Sequence, residues 1–376
     1  METKEKELLT GADRLVVKVG TSSLTHPDGK LNLLQLEGLA RELVNLKQQG
    51  REVVLVTSGA IGAGMGKMGL TERPKAMPEK QALAAIGQGI LMHMYEKYFD
   101  EFGSVVAQVL LTRDDITHRE RYLNARNTLL TLLRLGAIPI INENDTVTFE
   151  EIKFGENDTL AALVAGLIDA DLLVMLSDID GLYTADPRRD SSARLIPVVE
   201  EITSEVEDLA GGTGSTLGSG GMMTKINAAK IACSLGIPMV LVNGANNNVF
   251  RDIVAGVNPG TIFVPREQPM NSRKGWIAYA SKTNGTIYLD YGAEKAIVEK
   301  GKSLLPSGII KVEGTFTRGC AVSIVGSCGE IARGIVNYGS EDIEKIKGSQ
   351  SKEIINILGY KDDDEVIHRD NLTICS

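Results

Sequence analysis

The chain has 376 residues, and at ~150 residues per domain this length predicts two or three domains. Hydrophobic residues make up 43% and charged residues 24%, which excludes a disordered chain, a collagen-like repeat and a disulfide miniprotein. The formal net charge of −9 excludes a basic footprint over the whole protein and leaves only a local patch for nucleic acid. Glycine is over-represented at 40 residues, which suggests tight turns and backbone close to a ligand.

Targeting and metal-binding signals are weak. Residues 1–7 are charged with no apolar stretch behind them, so we expect no signal peptide. The longest apolar segment, residues 160–176, is interrupted by Asp169 and Asp171, so we expect no membrane span. The four cysteines show no CxxC pairing and the four histidines are scattered, so we assign no metal ligands. We expect structural thiols in a cytoplasmic protein.

The first two-thirds of the chain alternates strand and helix signals. Residues 15–19 and 52–57 predict buried strands, and the helix between them begins after Asn32 and ends before Gly50. Further strands are predicted at residues 105–111, 137–141, 172–176 and 238–242. Further helices are predicted from Pro78 onward, with Leu83, Ile86 and Leu91 on one face, and at residues 119–135, 159–168 and 224–235. Strands separated by helices of this length predict parallel crossovers, and hence an α/β three-layer αβα sandwich with a mostly parallel sheet.

The pattern changes near residue 266. Short β-like runs follow at residues 286–289, 309–312, 321–325 and 334–336, with one helix at 293–300, and they predict a small C-terminal β-barrel. We therefore predict a large domain at 1–265, a linker at 266–282, a small domain at 283–362 and a tail at 363–376.

Candidate chemistry lies where strands end, because open parallel sheets bind ligands at the carboxyl ends of their strands. Lys18 stands in an otherwise apolar strand before Gly20, and it is either a point charge for a phosphate or a snorkelling edge lysine. Residues 57–64, Thr-Ser-Gly-Ala-Ile-Gly-Ala-Gly, follow the second strand and form either an anion-binding turn or a plain tight turn. The GxGxxG match at residues 64–69 does not directly follow a strand, so we do not expect a dinucleotide site, and no P-loop motif occurs.

A dense polar group follows the strand at residues 137–141. It comprises Asn142-Glu143-Asn144-Asp145 and, after a turn, Glu156-Asn157-Asp158. Such side chains can hold a Mg²⁺ shell or the ammonium group of a zwitterionic substrate. The alternative is structural, with Asn157 or Asp158 capping the next helix.

A glycine-rich segment at residues 211–224 precedes Lys225 at a predicted helix start. A lysine delivered to a helix N-terminus by such a segment suits an anionic phosphate, and the alternative is an ordinary loop. Two lysines, clustered acids and glycine turns together favour phosphoryl transfer, which needs mainly positioning and charge neutralisation.

Six segments resemble the glutamate 5-kinase branch of the amino acid kinase family, followed by a PUA domain. They are Val-Val-Lys-Val-Gly-Thr-Ser at 16–22, Val-Thr-Ser-Gly-Ala-Ile at 56–61, Asn-Ala-Arg-Asn-Thr at 124–128, Ile-Asn-Glu-Asn-Asp at 141–145, Gly-Leu-Tyr-Thr-Ala-Asp-Pro at 181–187 and Gly-Gly-Met-Met-Thr-Lys at 220–225. The resemblance covers roughly residues 13–370. It departs from the family pattern at Glu156, where the family usually has Asp, and at Ser177, where Thr is frequent.

The resemblance implies that ATP, with Mg²⁺, phosphorylates the γ-carboxylate of L-glutamate in the first step of proline synthesis. It implies catalytic roles for Lys18, Lys225 and Asp158, with Asp158 orienting the two lysines. The implied glutamate-binding residues are Ser58, Gly59, Ala60, Asn142, Asp145, Glu156 and Asn157. The implied nucleotide-binding residues are Lys18, Ser177, Asp178, Ser219, Gly220, Gly221, Met222, Met223, Thr224 and Lys225.

The resemblance also implies inhibition by proline, a homo-oligomer that is a tetramer or dimer, and the enzyme that consumes the product as a further partner. Two alternatives remain open at this point. One is another amino acid kinase, acting on aspartate or N-acetylglutamate, and the other is an RNA-binding protein acting through its PUA domain. The mixed charges of residues 284–361 do not favour RNA as the main partner.

Overall fold

The computed structural model describes residues 2–26, 30–112, 115–116, 118–147, 157–210, 221–265, 283–327 and 329–374, without the side chains of residues 2–4 and 119. The chain divides into two units, Met1–Asp115 with Glu120–Pro269, and Ile116–Arg119 with Met270–Ser376. The predicted linker, 266–282, lies outside the described residues, and the predicted domain boundaries stay predictions.

An eight-stranded sheet forms the centre of the first unit, in the order β3-β4-β2-β1-β5-β9-β10-β8. The strands of this unit, including a separate hairpin of β6 and β7, are β1 (Arg14–Val19), β2 (Glu52–Val56), β3 (Val106–Leu111), β4 (Ile138–Glu143), β5 (Leu172–Ser177), β6 (Leu182–Tyr183), β7 (Leu195–Ile196), β8 (Val198–Val199), β9 (Met239–Asn243) and β10 (Thr261–Phe263). All neighbours in the eight-stranded sheet pair in parallel except β9 and β10. The predicted mostly parallel α/β sheet is therefore confirmed, and the antiparallel β10 is an element that the sequence patterns did not indicate.

Helices connect these strands. They are α1 (Glu2–Thr10), α2 (Thr21–Leu24), α3 (Leu33–Gln48), α4 (Ala60–Met68), α5 (Met77–Glu101), α6 (Arg119–Arg134), α7 (Asn157–Leu167), α8 (Ser204–Ala210), α9 (Met222–Ser234) and α10 (Val249–Ala255). The Asn32 side chain accepts a hydrogen bond from Gln35 N at the start of α3, and Gly50 takes a left-handed φ of 88° just beyond its end, both as predicted. None of the helices in the described part of the chain has the length and hydropathy that a bilayer span requires.

Three element boundaries differ from the sequence predictions in ways that matter for the site. The fourth strand continues to Glu143, so Asn142 lies within β4 rather than after it. Helix α7 begins at Asn157, so Asn157 and Asp158 occupy its first turn and do not precede it as caps. Helix α9 begins at Met222, which places Lys225 in its first turn.

The second unit has a five-stranded sheet in the order β12-β11-β13-β14-β15. Its strands are β11 (Thr283–Leu289), β12 (Ile309–Glu313), β13 (Ala321–Gly326), β14 (Gly329–Ile335) and β15 (Leu372–Ile374), and its helices are α11 (Tyr291–Val298), α12 (Ser340–Ile346) and α13 (Ile354–Leu358). The sheet packs on its own core, which includes Ile287, Val322, Ile324 and Tyr338. The sequence patterns had indicated only the first of these helices, and the final strand falls within the predicted tail.

Candidate active site

The carboxyl ends of four neighbouring strands form one edge of the first sheet. Because β4, β2, β1 and β5 are adjacent and parallel, Asn142, Thr57, Lys18 and Ser177 come to this same edge from distant parts of the chain. The sequence prediction that chemistry lies at the ends of these strands therefore corresponds to one place in the fold.

Asp158 is the centre of a charged cluster at this edge. Its carboxylate is fully buried in the first turn of α7 and forms an ion pair with the Lys18 ammonium through Oδ1. Lys225 Nζ lies 3.3 Å from Asp158 Oδ2, and Thr224 Oγ1 donates to the same oxygen at 2.8 Å. Lys225 Nζ also donates to the Gly221 carbonyl at 3.1 Å. One carboxylate thus holds two ammonium groups at a single place, as the resemblance implied for Asp158.

The lysines in this cluster are largely removed from water. Their side chains are only 7% (Lys18) and 12% (Lys225) exposed. Lys18 lies in the sheet interior between β2 and β5, so the alternative of a snorkelling edge lysine is wrong. Two ammonium groups and one carboxylate leave the cluster with a formal charge of +1, which suits an anionic ligand.

The protonation state of Asp158 follows from these neighbours. Burial raises its pKa, but the charges of Lys18 and Lys225 and the hydrogen bonds from Lys18 and Thr224 outweigh it, so the pKa is lowered overall. Asp158 is therefore a carboxylate at neutral pH, and it cannot act there as a proton donor.

A network of amides lies beside the charged cluster. Asn157 Nδ2 donates to the Thr57 carbonyl at 2.9 Å, to Ser58 Oγ at 2.8 Å and to Asn142 Oδ1 at 3.0 Å. Asn142 Nδ2 in turn donates to Gln88 Oε1 at 2.8 Å. Asn157 Oδ1 is buried and has no hydrogen-bond partner among the described residues, so it is an unsatisfied acceptor.

The turn after β2 has a backbone shape that requires glycine. Gly59 has a left-handed φ of 98° as the N-cap of α4, a conformation that side chains disfavour. The turn places Ser58 beside Asn157 and begins α4 at Ala60, and the first N–H groups of a helix have no partner within it. This geometry fits both interpretations of residues 57–64, so anion binding there stays a prediction.

The opposite side of the cluster carries the residues expected at the nucleotide. Ser177 ends β5 and is buried, and its Oγ donates to Asp178 Oδ1 at 3.2 Å. The Asp178 side chain is 57% exposed and lies 3.6 Å from Arg188. The Ser177 carbonyl accepts from Gly244 N at 2.8 Å, which joins the ends of β5 and β9.

Some of the remaining predicted site residues are described by the structure, and the others lie outside the described residues. Asp145 lies half-buried in the turn after β4, while Gly221, Met222, Met223 and Thr224 form the start of α9. Glu156, Ser219 and Gly220 lie outside the described residues, so their predicted roles stay predictions.

The sequence patterns did not indicate two side chains of α5 that reach this site. Gln88 holds Asn142, and the Tyr95 hydroxyl lies 2.7 Å from Thr57 Oγ1 with both side chains buried. Burial raises the pKa of Tyr95, by more than its hydrogen bond to Thr57 lowers it, so the hydroxyl stays neutral. The signal that could have found them is their spacing of seven residues, which places both on one face of a helix.

Comparisons with known proteins show the family of the chain. The profile of the amino acid kinase family matches residues 13–243, and that of the PUA domain matches residues 285–358. A glutamate 5-kinase of Caldanaerobacter subterraneus subsp. tengcongensis is 58% identical over 96% of this chain and 97% of its own. A glutamate 5-kinase of Moorella thermoacetica is 58% identical over 97% of both chains.

Among solved structures, UMP kinase from Ureaplasma parvum aligns with 67% of this chain and 99% of its own. The TM-score is 0.47 and the sequence identity 14%, and this likeness is too weak to add to the family assignment. The family profile covers more than half of the chain, and the relatives match nearly all of it. The chain therefore belongs to the glutamate 5-kinase branch of the amino acid kinase family, with a C-terminal PUA domain.

Proposed function

We propose that this protein transfers the γ-phosphoryl group of ATP to the γ-carboxylate of L-glutamate, giving L-glutamyl 5-phosphate and ADP. The observation that carries the proposal is the Lys18–Asp158–Lys225 cluster, which lies beside the amide network of Asn157. The reaction requires two half-sites, one for the nucleotide with its transferring phosphoryl group and one for the amino acid. The charged cluster suits the first, and the set of amides suits the second.

The glutamate half-site consists, in this proposal, of Ser58, Gly59, Ala60, Asn142, Asp145, Glu156 and Asn157. The buried acceptor Asn157 Oδ1 fits the α-ammonium group of an amino acid, and Asp145 offers a second acceptor. The N–H groups at the start of α4 fit a carboxylate. Donors and acceptors of both kinds are what a zwitterionic substrate needs.

The nucleotide half-site lies on the other side of the cluster. We assign to it Lys18, Ser177, Asp178, the segment from Ser219 to Thr224, and Lys225. Lys225 stands in the first turn of α9, where helix dipole and ammonium charge both favour a phosphate. Mg²⁺ would be held mainly by the ATP phosphates, as is usual in kinases, and the exposed carboxylate of Asp178 fits an additional oxygen ligand. The metal would neutralise phosphate charge when bound.

The chemistry then needs no general base. A glutamate side chain with a pKa near 4.3 is already a carboxylate nucleophile at pH 7. The barrier lies in bringing this anion to a polyanion. Lys18 and Lys225 oppose that repulsion and stabilise the charge on the transferring group, while Asp158 keeps both ammonium groups in place.

The biological setting follows the same proposal. The product would enter proline synthesis, proline would inhibit the enzyme at or overlapping the glutamate site, and the enzyme would act in the cytoplasm as a dimer or tetramer. Because the product is a reactive acyl phosphate, the enzyme that consumes it is a natural partner.

A coupled assay of ADP release with glutamate, aspartate and N-acetylglutamate as separate acceptors tests the proposed function. We expect turnover with glutamate and at most a small fraction of that rate with the other two. Activity only with another acceptor would replace glutamate in the proposal. A salt-dependent gel shift with bulk RNA, together with no kinase activity, would favour the RNA-binding alternative.

A further inference from the structure

Helix α5 passes unusually close to the turn after β2. A Cβ atom at Gly87 would lie 1.7 Å from the Ala60 carbonyl oxygen, and one at Gly64 would lie 2.1 Å from the Leu83 carbonyl oxygen. Only glycine at both positions allows the backbones of α4 and α5 to approach this far. The side chains next to Gly87 on α5 are thereby brought within reach of the substrate side of the site.

Two α5 side chains use this proximity. Gln88 Oε1 accepts from Asn142 Nδ2 at 2.8 Å, and the Tyr95 hydroxyl bonds Thr57 Oγ1 at 2.7 Å. Asn142 and Thr57 are the groups, besides Ser58, to which Asn157 Nδ2 donates. The two α5 side chains therefore hold both flanks of the Asn157 amide without being placed at the substrate themselves.

Backbone groups fix the orientation of the amides in this network. Glu143 N can only donate, so the Asn142 atom that it meets at 2.9 Å is Oδ1, and Nδ2 turns toward Gln88. The Thr57 carbonyl can only accept, so the Asn157 atom beside it is Nδ2, and Oδ1 turns away as the free acceptor. The direction of that acceptor therefore depends on how firmly Asn142 and Thr57 are held.

We propose that Gln88 and Tyr95 are positioning residues that fix the Asn157 amide for the amino group of the acceptor substrate. This inference rests on the proposed function for the class of substrate and extends the site to a second layer of side chains on α5. Without Gln88, the buried Asn142 amide loses its acceptor and can rotate. Without the Tyr95 hydroxyl, the Thr57 hydroxyl keeps only its contact with the Ser58 carbonyl, at 3.2 Å.

The test measures both Michaelis constants of the full-length chain for Tyr95→Phe and Gln88→Met. Tyr98→Phe is the matched control, because Tyr98 is a buried tyrosine of the same helix whose hydroxyl has no hydrogen-bond partner in the described part of the chain. We expect KM for glutamate to rise about 3- to 10-fold in both variants, the scale for losing one hydrogen bond. KM for ATP should stay within about twofold, and the control should match wild type in both constants.

A purely structural role would lower stability and affect both substrates alike, so equal increases in the two KM values would overturn the proposal. An unchanged KM for glutamate in both variants would do the same. If wild type instead phosphorylates a different amino acid, the proposed function fails while the same comparison, made with that acceptor, still decides the positioning role. A wild-type chain that neither phosphorylates any acceptor nor shows a rise in Tm with glutamate would refute both.

Discussion

Replacing Asp158 by Asn removes one negative charge from a fully buried position while keeping the size of the side chain. At 3.3 Å and an effective dielectric constant of about 20, the attraction between Asp158 and Lys225 alone is about 5 kcal/mol before desolvation is subtracted. Lys18 pairs with the other oxygen, so the substitution affects both cations at once. Loss of one electrostatic group typically costs ~10²–10³-fold in kcat, and we expect the upper part of that range here.

The two kinetic constants should respond differently. Without the carboxylate, the two ammonium groups carry a charge of +2, which favours ATP binding in the ground state. Neither lysine is then held in position at the transferring group. We therefore expect kcat of Asp158→Asn to fall about 10³-fold while KM for ATP does not rise. The assay is coupled ADP release at saturating glutamate, with Asp100→Asn, a charge removal at an exposed position of α5, as the control. A kcat within tenfold of wild type would refute the role of Asp158.

The other predictions test separate parts of the site. The pKa of Asp158 in the folded protein lies below its unfolded value of about 3.9, so the ionised carboxylate contributes its full stabilisation above that pH and loses it as the pH falls further. The difference in Tm between wild type and Asp158→Asn should therefore shrink below that pH. A difference that stays constant down to about pH 3 would contradict the ion pair. Lys225→Ala should lower kcat at least ~10²-fold in the same assay, and near-normal turnover of the folded variant would exclude the lysine from the phosphate path. Asp145→Ala should raise KM for glutamate far more than KM for ATP, and the reverse pattern would invert the assignment of the two half-sites. Gly87→Ala should lower Tm by about 4 °C or more in a thermal unfolding scan, because the new Cβ atom would clash with backbone. Gly89→Ala is the control, because its Cβ atom would meet nothing within 4 Å, and its Tm should not fall. Equal effects of the two substitutions would contradict the close contact between α4 and α5.

Much of the large unit could be predicted because its signals are local. The strand at β1 is a run of β-branched and apolar residues, and the helix after it has a capping Asn32 and a terminal Gly50, each of which acts through neighbouring backbone. Those cues depend on a few adjacent residues, so they survive without knowledge of the rest of the fold. The strand β10 has only three residues and pairs antiparallel to β9 but parallel to β8, a choice that no local pattern encodes.

Helix α5 shows where local patterns fail. The periodicity placed Leu83, Ile86 and Leu91 on one face. Leu83 and Leu91 are buried as predicted, but Ile86 is 39% exposed, and Gly87 and Tyr95 belong to the buried face. The face was decided by the close contact at Gly87, which turns that side of the helix toward α4. Hydrophobicity could not reveal this, because a glycine has no side chain to contribute to an apolar pattern.

The local sequence was enough to predict a phosphate-type role for Lys18 and Lys225, since a lysine in an apolar strand and one after a glycine-rich segment are unusual on their own. Their partnership was not readable there, because 207 positions separate them in the printed numbering. Only the folded chain packs α9, which carries Lys225, against α7, which carries Asp158, and packs α7 against β1, which carries Lys18. The same holds for the second layer of the site. Gln88 and Tyr95 carry no motif. Their contacts with Asn142 and Thr57 depend on two glycines that let α5 approach α4, a contact between surfaces that exists only once the chain has folded.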